Sequence, residues 1–417
     1  MEPEQQVEIQ LGHLCNNRCV FCVSGQRTAM GEAHPVAADP VVAKLEEARA
    51  RGIDKVTLLG GEPTLQPEFL AIVRRAVALG YREIVVFTNG VKTARASFVD
   101  EILATGGNFT FRLSFQGATA RAHERTTKKL GSFGRLVESL ANLHARRQRI
   151  TVNMCVVRSN QDSVEAFPAL LLPYGVSQLH LDMVRPLDAG VRTEAELREM
   201  MPRYSDLVPA LERMIAGFPP GFDVNLGNLP YCVAQDLAEH IHHDGEKTYT
   251  VAVDHDDALS EPWDKYETKR RDKRKPASCS DCVYEPRCSG VFETYERFYG
   301  VSELVPVRTL PVVDRGLASL RELAGRAADP RIGAGLLRLH GAGPFAELTV
   351  RGARLREDGQ AAAIDLEHTS GVRVRLAFAV QGARLAGRYA LDRPAPSLSG
   401  PGLTAGVRAA MTALLAE

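Results

Sequence analysis

The sequence predicts an α/β protein whose first half forms a parallel sheet flanked by helices. Short apolar segments alternate with amphipathic helical segments six times between residues 7 and 217, and six β–α repeats imply parallel strands joined by right-handed crossovers. The eight cysteines are clustered, and the texture of the chain changes after about residues 218 and 331. In parallel sheets of this kind, ligands bind at the carboxyl ends of the strands.

Each predicted element has its own local signal. The first long helix begins at Asp39-Pro40, where an acidic cap precedes proline at the first helical position, and it ends at Gly52. The other helices show apolar residues at helical spacing. They are predicted at residues 67–79, 94–103, 133–147 and 164–172. The six strands are predicted at residues 7–11, 55–59, 83–87, 109–115, 150–157 and 178–184.

The pattern changes where Pro219, Pro220 and Gly221 break the last helix of the repeats. Residues 221–300 show few regular elements but hold four of the eight cysteines, and a metal centre is the usual stabiliser of such a segment. Further on, we expect a helix over 313–326, strands at 345–350, 361–368, 372–380 and 384–391, and a closing helix over 403–415. The predicted domains are 1–218, 219–305, a helical linker at 306–330, and a small α+β domain at 331–417.

Composition excludes several classes of protein. The 417 residues contain 51 Lys and Arg against 51 Asp and Glu, so a nucleic-acid binder that relies on overall charge is not expected. No apolar run is long enough to span a membrane, and the acidic, polar start lacks the features of a secretory signal. We therefore expect a cytoplasmic protein, in which the cysteines are reduced and ligate metal rather than form disulfides.

Three cysteines follow the first predicted strand at a compact spacing. Cys15, Cys19 and Cys22 give the pattern C-x3-C-x2-C. Three thiolates can hold three corners of an iron–sulfur cubane, which leaves one iron open to a small molecule. Structural zinc is the alternative, but it requires four ligands, and His13 is poorly placed to be the fourth.

The triplet resembles the signature of the radical S-adenosylmethionine (radical SAM) superfamily, C-x3-C-x-aromatic-C, with Phe21 at the aromatic position. Gly60-Gly61-Glu62-Pro63, at the end of the second strand, resembles the GGEP motif with which that family grips the methionine amino group. By this resemblance, Glu62 supplies the charge. Glycines there let the backbone approach a ligand closely.

Further matches follow the next strands and cover about residues 5–217. Asn89 follows the third strand, and Ser114-Phe115-Gln116-Gly117 resembles the S-x-D-G element, with Gln116 in place of the more common Asp. Among residues near the fifth strand, Arg158 is favoured for the SAM carboxylate, because a guanidinium pairs with a carboxylate in a bidentate manner. The resemblance assigns SAM contacts to Phe21, Gly60, Gly61, Glu62, Pro63, Asn89, Ser114, Gln116, Asn153 and Arg158.

The resemblance implies a partial (β/α)6 barrel of the radical SAM type. It also implies a [4Fe-4S] cluster on Cys15, Cys19 and Cys22 whose open iron binds SAM. One electron from a flavodoxin- or ferredoxin-type donor then splits SAM, and the resulting 5′-deoxyadenosyl radical abstracts hydrogen from a substrate.

A second cysteine group has the spacing C-x2-C-x5-C. Cys279, Cys282 and Cys288 form it, and Cys232 is a candidate fourth ligand. The spacing alone favours neither zinc nor an iron–sulfur cluster. The region resembles the SPASM/twitch extensions that bind auxiliary [4Fe-4S] clusters, and the number of cysteines implies one such cluster.

Three other features have competing interpretations. The lone Cys155 is expected to pack as a small apolar residue. The basic run at residues 269–275 is expected to be a solvated loop, the alternative being a surface that attracts an acidic peptide or phosphate. Asp182 and Arg185 either contact substrate or form internal ion pairs.

Three functions are compatible with these residues. The leading hypothesis is a radical SAM enzyme that modifies a ribosomally made peptide, as many SPASM/twitch relatives do. The second is the same chemistry on a small molecule or cofactor precursor. The third is a non-catalytic iron–sulfur or zinc scaffold, against which the intact GGEP segment argues, since a scaffold has no need to bind SAM.

Overall fold

The structure, a computed structural model, falls into two compact units, Met1–Thr309 and Leu310–Glu417. It describes residues 5–219, 221–243, 245–308, 320, 323–325, 327–342, 348–356, 360–368, 372–381, 384–391 and 401–415. None of the helices within these residues is long and apolar enough to cross a membrane.

The first unit is built on a ten-stranded sheet in the order β10-β9-β1-β2-β3-β4-β5-β6-β7-β8. All neighbours are parallel except β9 and β10. With helices packed on its outer face, this is the partial barrel that the sequence predicts. The strands are β1 (Gln5–Gln10), β2 (Lys55–Leu59), β3 (Glu83–Thr88), β4 (Phe109–Ser114), β5 (Arg149–Val156), β6 (Gln178–Met183), β7 (Asp223–Gly227), β8 (Ile241–His242), β9 (Lys247–Val251) and β10 (Trp263–Asp264).

The helices of this unit alternate with the strands as far as β6. Apolar residues at helical spacing, such as Phe69, Ile72, Val73 and Ala76, point into the core. The helices are α1 (Val23–Met30), α2 (Ala38–Ala50), α3 (Phe69–Ala78), α4 (Ala96–Leu103), α5 (Ala120–Thr127), α6 (Ser132–Ala145), α7 (Phe167–Leu171), α8 (Glu194–Met200), α9 (Tyr204–Ala216), α10 (Lys265–Arg270) and α11 (Glu293–Tyr299).

The two faces of the sheet differ because side chains alternate along each strand. One face carries residues such as Ile9, Leu58 and Leu113, which are fully buried against the helices. The opposite face, called here the polar face, carries hydrophilic side chains. Its members include Gln6, Glu8, Thr57, Glu83, Thr110, Arg112, Ser114, Thr151, Asn153, Cys155, His180 and Asp182. Polar groups thus line the side of the sheet that faces away from the helices.

The second cysteine region is less irregular than expected. Instead of ending near residue 218, the sheet continues through β7, β8, β9 and β10, and β9 pairs with β1. A short hairpin, β11 (Lys273–Arg274) and β12 (Val291–Phe292), lies within the same region. The boundary expected at 218 therefore differs from the observed division at 309, because these strands complete the sheet begun by β1.

The second unit contains a four-stranded antiparallel sheet, β13 (Leu348–Leu355), β14 (Ala361–His368), β15 (Arg373–Gln381) and β16 (Arg384–Leu391). Alternate residues of β14 are buried, as expected for a sheet with one wet face. The described residues of this unit include the helices α12 (Pro330–Ala342) and α13 (Pro401–Leu415), and apolar side chains of both share one core with the sheet. Helix α12 was not expected, and most of the helix predicted at 313–326 lies outside the described residues.

Candidate functional site

The first cysteine group lies on a loop between β1 and α1. Cys22 is the residue that caps α1. Both ring nitrogens of His13 are engaged, Nδ1 with the Ser24 hydroxyl at 2.8 Å and Nε2 with the Val253 carbonyl at 3.1 Å. His13 therefore has a structural role in this loop, joining it to Ser24 and Val253.

The loop is also attached to α5. The backbone N–H groups of Arg18 and Val20 donate to the carbonyls of Thr127 and Thr126, at 2.9 and 3.0 Å. Burial raises the pKa of Cys19 well above its ordinary value, and Cys22 and Cys15 raise it further. Burial and Glu62 raise the pKa of Cys15 to about 12. Because thiolates rather than thiols bind metal, binding of a metal by these residues would release protons.

The two glycines after β2 bring two backbones together. Gly61 N–H donates to the Gly12 carbonyl, and Glu62 N–H donates to the Leu14 carbonyl, both at 2.8 Å. A β-carbon on Gly60 would lie 2.7 Å from the Gly12 oxygen, and one on Gly61 would clash with the carbonyl oxygens of His13 and Leu14. The two glycines thus allow the backbone after β2 to contact the cysteine loop. The sequence analysis expected them to allow close approach of a ligand instead.

Glu62 is buried and accepts four hydrogen bonds from the protein. Its carboxylate accepts from Thr64 N–H at 3.2 Å, the Thr64 hydroxyl at 2.6 Å, the Thr88 hydroxyl at 2.7 Å and Asn89 N–H at 2.7 Å. Burial raises the pKa of Glu62, while these donors favour the charged form. The side chain joins the end of β2 to the end of β3, so it has a positioning role that its assignment as the charge on SAM did not include.

Several other predicted SAM contacts lie around the same end of the sheet. Asn89 Nδ2 donates to Asn16 Oδ1 at 2.6 Å and lies 3.7 Å from Cys15 Sγ. Ser114, the last residue of β4, is the register partner of Asn153 on β5. Pro63 begins a buried 3-10 turn, and Phe21 packs against the core.

Gln116 and Arg158 have protein partners instead. Gln116 Oε1 accepts from Cys155 N–H at 3.0 Å, and Gln116 N–H donates to His123 Nδ1 at 3.0 Å. The exposed Arg158 donates to the Tyr299 hydroxyl at 2.7 Å. The structure therefore does not join the Arg158 guanidinium to the residues around Cys15.

The second cysteine group forms one cavity. Cys232, on a short 3-10 turn at Tyr231–Val233, lines this cavity together with Cys279, Cys282 and Cys288. Burial raises the pKa of Cys232 to about 12, and the other three cysteines add to the effect. The fold thus brings Cys232 next to Cys279, although the two residues are far apart in the sequence.

The spacing of the sulfurs bears on which metal they suit. All eight cysteines are free, and among the described residues no three cysteine sulfurs lie within 4.8 Å of one another. In tetrahedral zinc sites with Zn–S bonds of about 2.3 Å, the sulfurs are only about 3.8 Å apart. The cysteine sulfurs of the described residues are therefore not arranged as a preformed tetrahedral zinc site.

The basic run at residues 269–275 is not entirely solvated. Lys269 reaches Asp182 at 3.6 Å, and Lys273 donates to Asn228 Oδ1 at 2.8 Å and to the Ser289 hydroxyl at 2.9 Å. Burial and Lys269 lower the pKa of Lys273 to about 8. The expectation of a solvated loop is wrong for these two lysines, because they point towards the polar face. The expectation of a solvated segment is met by the exposed residues of the run, which are Arg270, Arg271, Arg274 and Lys275.

Asp182 and Arg185 form internal ion pairs. Asp182 Oδ2 lies 3.0 Å from His180 Nε2, and Lys269 and His180 hold the Asp182 pKa well below its usual range despite burial, which raises it. Arg185 pairs with Asp272 at 3.0 Å. The internal interpretation of both residues is the one that the contacts support.

Sequence reasoning missed Lys265, whose ammonium lies 2.7 and 2.8 Å from the two carboxylate oxygens of Glu8. Lys265, Lys269 and Lys273 follow one another at intervals of four residues, which places the first two on one face of α10. That periodicity was the signal by which the inward lysines could have been found.

Comparison with known proteins identifies part of the chain. The family model described as the radical SAM superfamily matches residues 9–171. A protein of Saccharolobus islandicus (strain M.14.25 / Kamchatka #1), named "Probable GTP 3',8-cyclase", is 27% identical over 203 residues, or 48% of this chain and 64% of that protein. The chain thus spans less than two thirds of the length of such relatives.

Two further proteins extend the similarity. The mycofactocin maturase MftC of Mycobacterium tuberculosis (strain CDC 1551 / Oshkosh) is 27% identical over 307 residues, which are 67% of this chain and 76% of that protein. The crystal structure of Streptococcus suis SuiB bound to S-adenosylmethionine has a TM-score of 0.50 at 13% identity, covering 70% of this chain and 73% of SuiB. At that identity, the likeness to SuiB shows a shared fold. Residues 9–171 of the chain thus match the radical SAM superfamily.

Proposed function

We propose that this chain is an enzyme that holds a [4Fe-4S] cluster on Cys15, Cys19 and Cys22 and cleaves SAM reductively. The observation that carries the proposal is the cysteine loop, in which the single histidine is occupied by Ser24 and Val253 and three free thiols remain as ligands. When bound, the cluster and SAM supply a 5′-deoxyadenosyl radical that abstracts hydrogen from a substrate.

Residues next to the cysteine loop hold its backbone in place. Gly60 and Gly61 fix the backbone of residues 12–14, and Glu62 fixes the turn that carries Asn89. We assign SAM contacts to this end of the sheet, with Asn89, Ser114 and Asn153 as the side chains best placed to make them. Gln116 and Arg158 take secondary places in the assignment because each already has protein partners.

A second [4Fe-4S] cluster on Cys232, Cys279, Cys282 and Cys288 is part of the proposal. Four thiols around one cavity supply a complete set of ligands for a closed cluster. Stacked rings support this cavity, since Tyr231 and Tyr284 lie 4.6 Å apart at 8° and Arg287 lies over both. Such a cluster would accept an electron from the substrate radical or help to position the substrate.

A peptide is the substrate class that we favour. The cysteine-rich extension resembles those of SPASM/twitch peptide-modifying enzymes, and the similarity to a maturase runs over 307 residues, well beyond the radical SAM domain. A small-molecule substrate is the second candidate, favoured by the similarity of the radical SAM domain to a cyclase named for GTP.

The electron donor is proposed to be a flavodoxin- or ferredoxin-type protein. A surface depression that contains Cys19 is lined by three cations, Arg18, Lys128 and Arg192, and by two glutamates, Glu196 and Glu199, so positive charge is in excess there. Positive charge beside the cluster loop would attract an acidic donor and raise its rate of association. The reduced thiols on which both clusters depend are typical of the cytoplasm.

Iron content and SAM cleavage test the proposal together. The protein is reconstituted without oxygen, iron and sulfide are counted, and 5′-deoxyadenosine is measured by chromatography after dithionite reduction. We expect about eight irons per chain, four for each cluster, and formation of 5′-deoxyadenosine. Zinc without iron, or no 5′-deoxyadenosine from the loaded protein, would refute it.

Cysteine variants separate the two sites. Changing Cys15, Cys19 and Cys22 together to Ala should halve the iron and abolish cleavage. Changing Cys279 and Cys282 to Ala should also halve the iron, but should leave some uncoupled cleavage without product. Cys155→Ala is the matched control for iron content, because Cys155 belongs to neither group. Wild-type product yield from the second variant would exclude an essential auxiliary cluster.

A further inference from the structure

Arg112 is a cation of the polar face without an acidic partner. Its register neighbours are Phe87 on β3 and Thr151 on β5. The guanidinium carbon lies 5.5 Å from the centre of the Phe87 ring. Among the described residues, no carboxylate lies within 4 Å of this guanidinium, whereas Lys265 pairs with Glu8 and Lys269 with Asp182. Arg112 therefore adds positive charge to the polar face that no ion pair compensates.

Among the described residues, two buried hydroxyls on the same face also lack partners. Thr151 is 4% exposed and Thr57 is 0% exposed, and within the described part of the chain the Oγ1 atom of each has no hydrogen-bond partner. Thr151 is directly opposite Arg112, whereas Thr57 is directly opposite Glu8 and lies two strands away from Arg112. Glu8 is itself near Arg112: burial raises its pKa, but Lys265 and Arg112 lower it below the ordinary value. Buried polar groups in folded proteins are normally satisfied, so these hydroxyls indicate a ligand or water.

The charge decides between these two occupants. A water molecule would satisfy a hydroxyl but would leave the Arg112 charge uncompensated in a partly buried site. A carboxylate satisfies Arg112 and the neighbouring Thr151 together, because it accepts two N–H bonds from a guanidinium and has further lone pairs for a hydroxyl donor. The arrangement is thus complementary to a carboxylate.

The polar face also lies between the two proposed cluster sites. Cys155 and Asp182 are register partners near the ends of β5 and β6, and the charges of Cys22 and Cys19 act on Cys155, so this end of the polar face lies towards the first cysteine group. Lys273 is influenced by both Asp182 and Cys288, so the same face reaches the second group. A substrate that must meet both clusters would occupy this face.

We propose that Arg112 and Thr151 bind a carboxylate of the substrate. This inference rests on the proposed function, since it takes the polar face as the substrate chamber. Ser114 lies two residues from Arg112 along β4, or about 7 Å towards the proposed SAM site. The reacting carbon is therefore a few bonds from the bound carboxylate, which is either an acidic side chain or the carboxyl terminus of a peptide.

Binding of small probes to the cluster-loaded protein tests the inference without turnover. Isothermal titration with SAM present and no reductant compares N-acetyl-L-glutamate α-amide, which carries a side-chain carboxylate, with N-acetylglycine, which carries a terminal one. N-acetyl-L-glutamine α-amide is the neutral control. We expect at least one carboxylate probe to bind about tenfold or more tightly than the neutral amide. The tighter of the two carboxylates identifies the source.

Variants test which groups bind the probe. Arg112→Gln should weaken binding about tenfold or more, and Thr151→Val, which keeps the shape of the side chain, about threefold or more. Arg51→Gln is the matched control, because the exposed Arg51 also lies over an aromatic ring, that of Tyr249 at 4.6 Å. It should bind the probe as the wild type does, and circular dichroism should show that all three variants are folded.

Four results would overturn the inference: binding of neither carboxylate, equal binding of the neutral amide, unchanged binding by both Arg112→Gln and Thr151→Val, or equal competition by chloride. The last result would indicate an adventitious ion only. Failure of the proposed function is distinguishable, because a protein that never forms 5′-deoxyadenosine yet binds carboxylates through Arg112 would refute the cleavage proposal alone.

Discussion

Replacing Glu62 with glutamine tests whether this residue positions the site. The side chain keeps its shape, and one oxygen can still accept the three bonds from Thr64 and Thr88. The amide NH₂ must then take the place of the oxygen that accepts from Asn89 N–H at 2.7 Å. Two donors would face each other, and Asn89 N–H would be buried without an acceptor.

The magnitude follows from that single lost interaction. Losing a hydrogen bond to a charged acceptor and leaving a buried donor unsatisfied costs about 1.5–3 kcal/mol. For a unit of this size, 1 kcal/mol corresponds to about 2 °C, so Glu62→Gln should lower the thermal midpoint by about 3–6 °C. The measurement is thermal unfolding of the cluster-free protein, so that no ligand contributes to the difference.

Glu68→Gln is the matched control, because Glu68 is exposed and makes no side-chain cap to α3. Its thermal midpoint should stay within about 1 °C of the wild type. If Glu62→Gln is as stable as Glu68→Gln in the absence of SAM, the carboxylate does not hold the turn together, and the positioning role is wrong.

Three other predictions concern separate features. Gly61→Ala should destabilise the protein by at least about 2 kcal/mol in urea unfolding and lower its iron content, because the new β-carbon would clash with the cysteine loop. Gly134→Ala, at an open position of α6, should instead stabilise it by about 0.5–1 kcal/mol, and equal effects of the two variants would contradict the close approach of Gly61 to the loop. Burial lowers the pKa of His123 to about 4 from about 6.5 in the unfolded chain, so the folded state binds fewer protons and stability falls with pH below about 6.5, by about 2 kcal/mol between pH 8 and pH 5. His123→Asn should lose this part of the pH dependence in urea titrations, and an unchanged pH profile would refute the assignment. Arg158→Ala should change the affinity for SAM less than threefold, because its guanidinium binds Tyr299, and a tenfold loss in a direct binding assay would restore Arg158 as a SAM contact.

The strands could be predicted from the sequence because their signals are local. β2 has the predicted limits, and β3, β4, β5 and β6 differ from theirs by a residue or so, since each is a short apolar run ending in a polar or glycine-containing turn. Helix α5 was missed because its sequence, ARAHERTT, contains few apolar residues. The helix holds the cysteine loop through hydrogen bonds from Arg18 and Val20, and no local sequence pattern reveals such tertiary contacts.

The cysteines show the same division. The spacing of Cys15, Cys19 and Cys22 is a local pattern, and so is the group that starts at Cys279. The proximity of Cys232 to that group depends on the path of the chain through β8, β9 and β10. These strands are short and mixed in composition, so the sequence did not predict them. The role of Glu62 was also beyond local reasoning, because two of its four donors belong to residues 88 and 89.

The pairing of β1 with β9 has a consequence for synthesis of the protein on the ribosome. The first strand and the His13 ring wait for partners 240 or more positions later in the chain, Thr248 and Val253. At about 5–20 residues per second, that interval is roughly 12–50 s of translation, during which β1 has an unpaired edge. Iron delivered to the nascent chain would therefore meet an unfinished loop, and cofactor insertion is expected to follow release of the whole first unit.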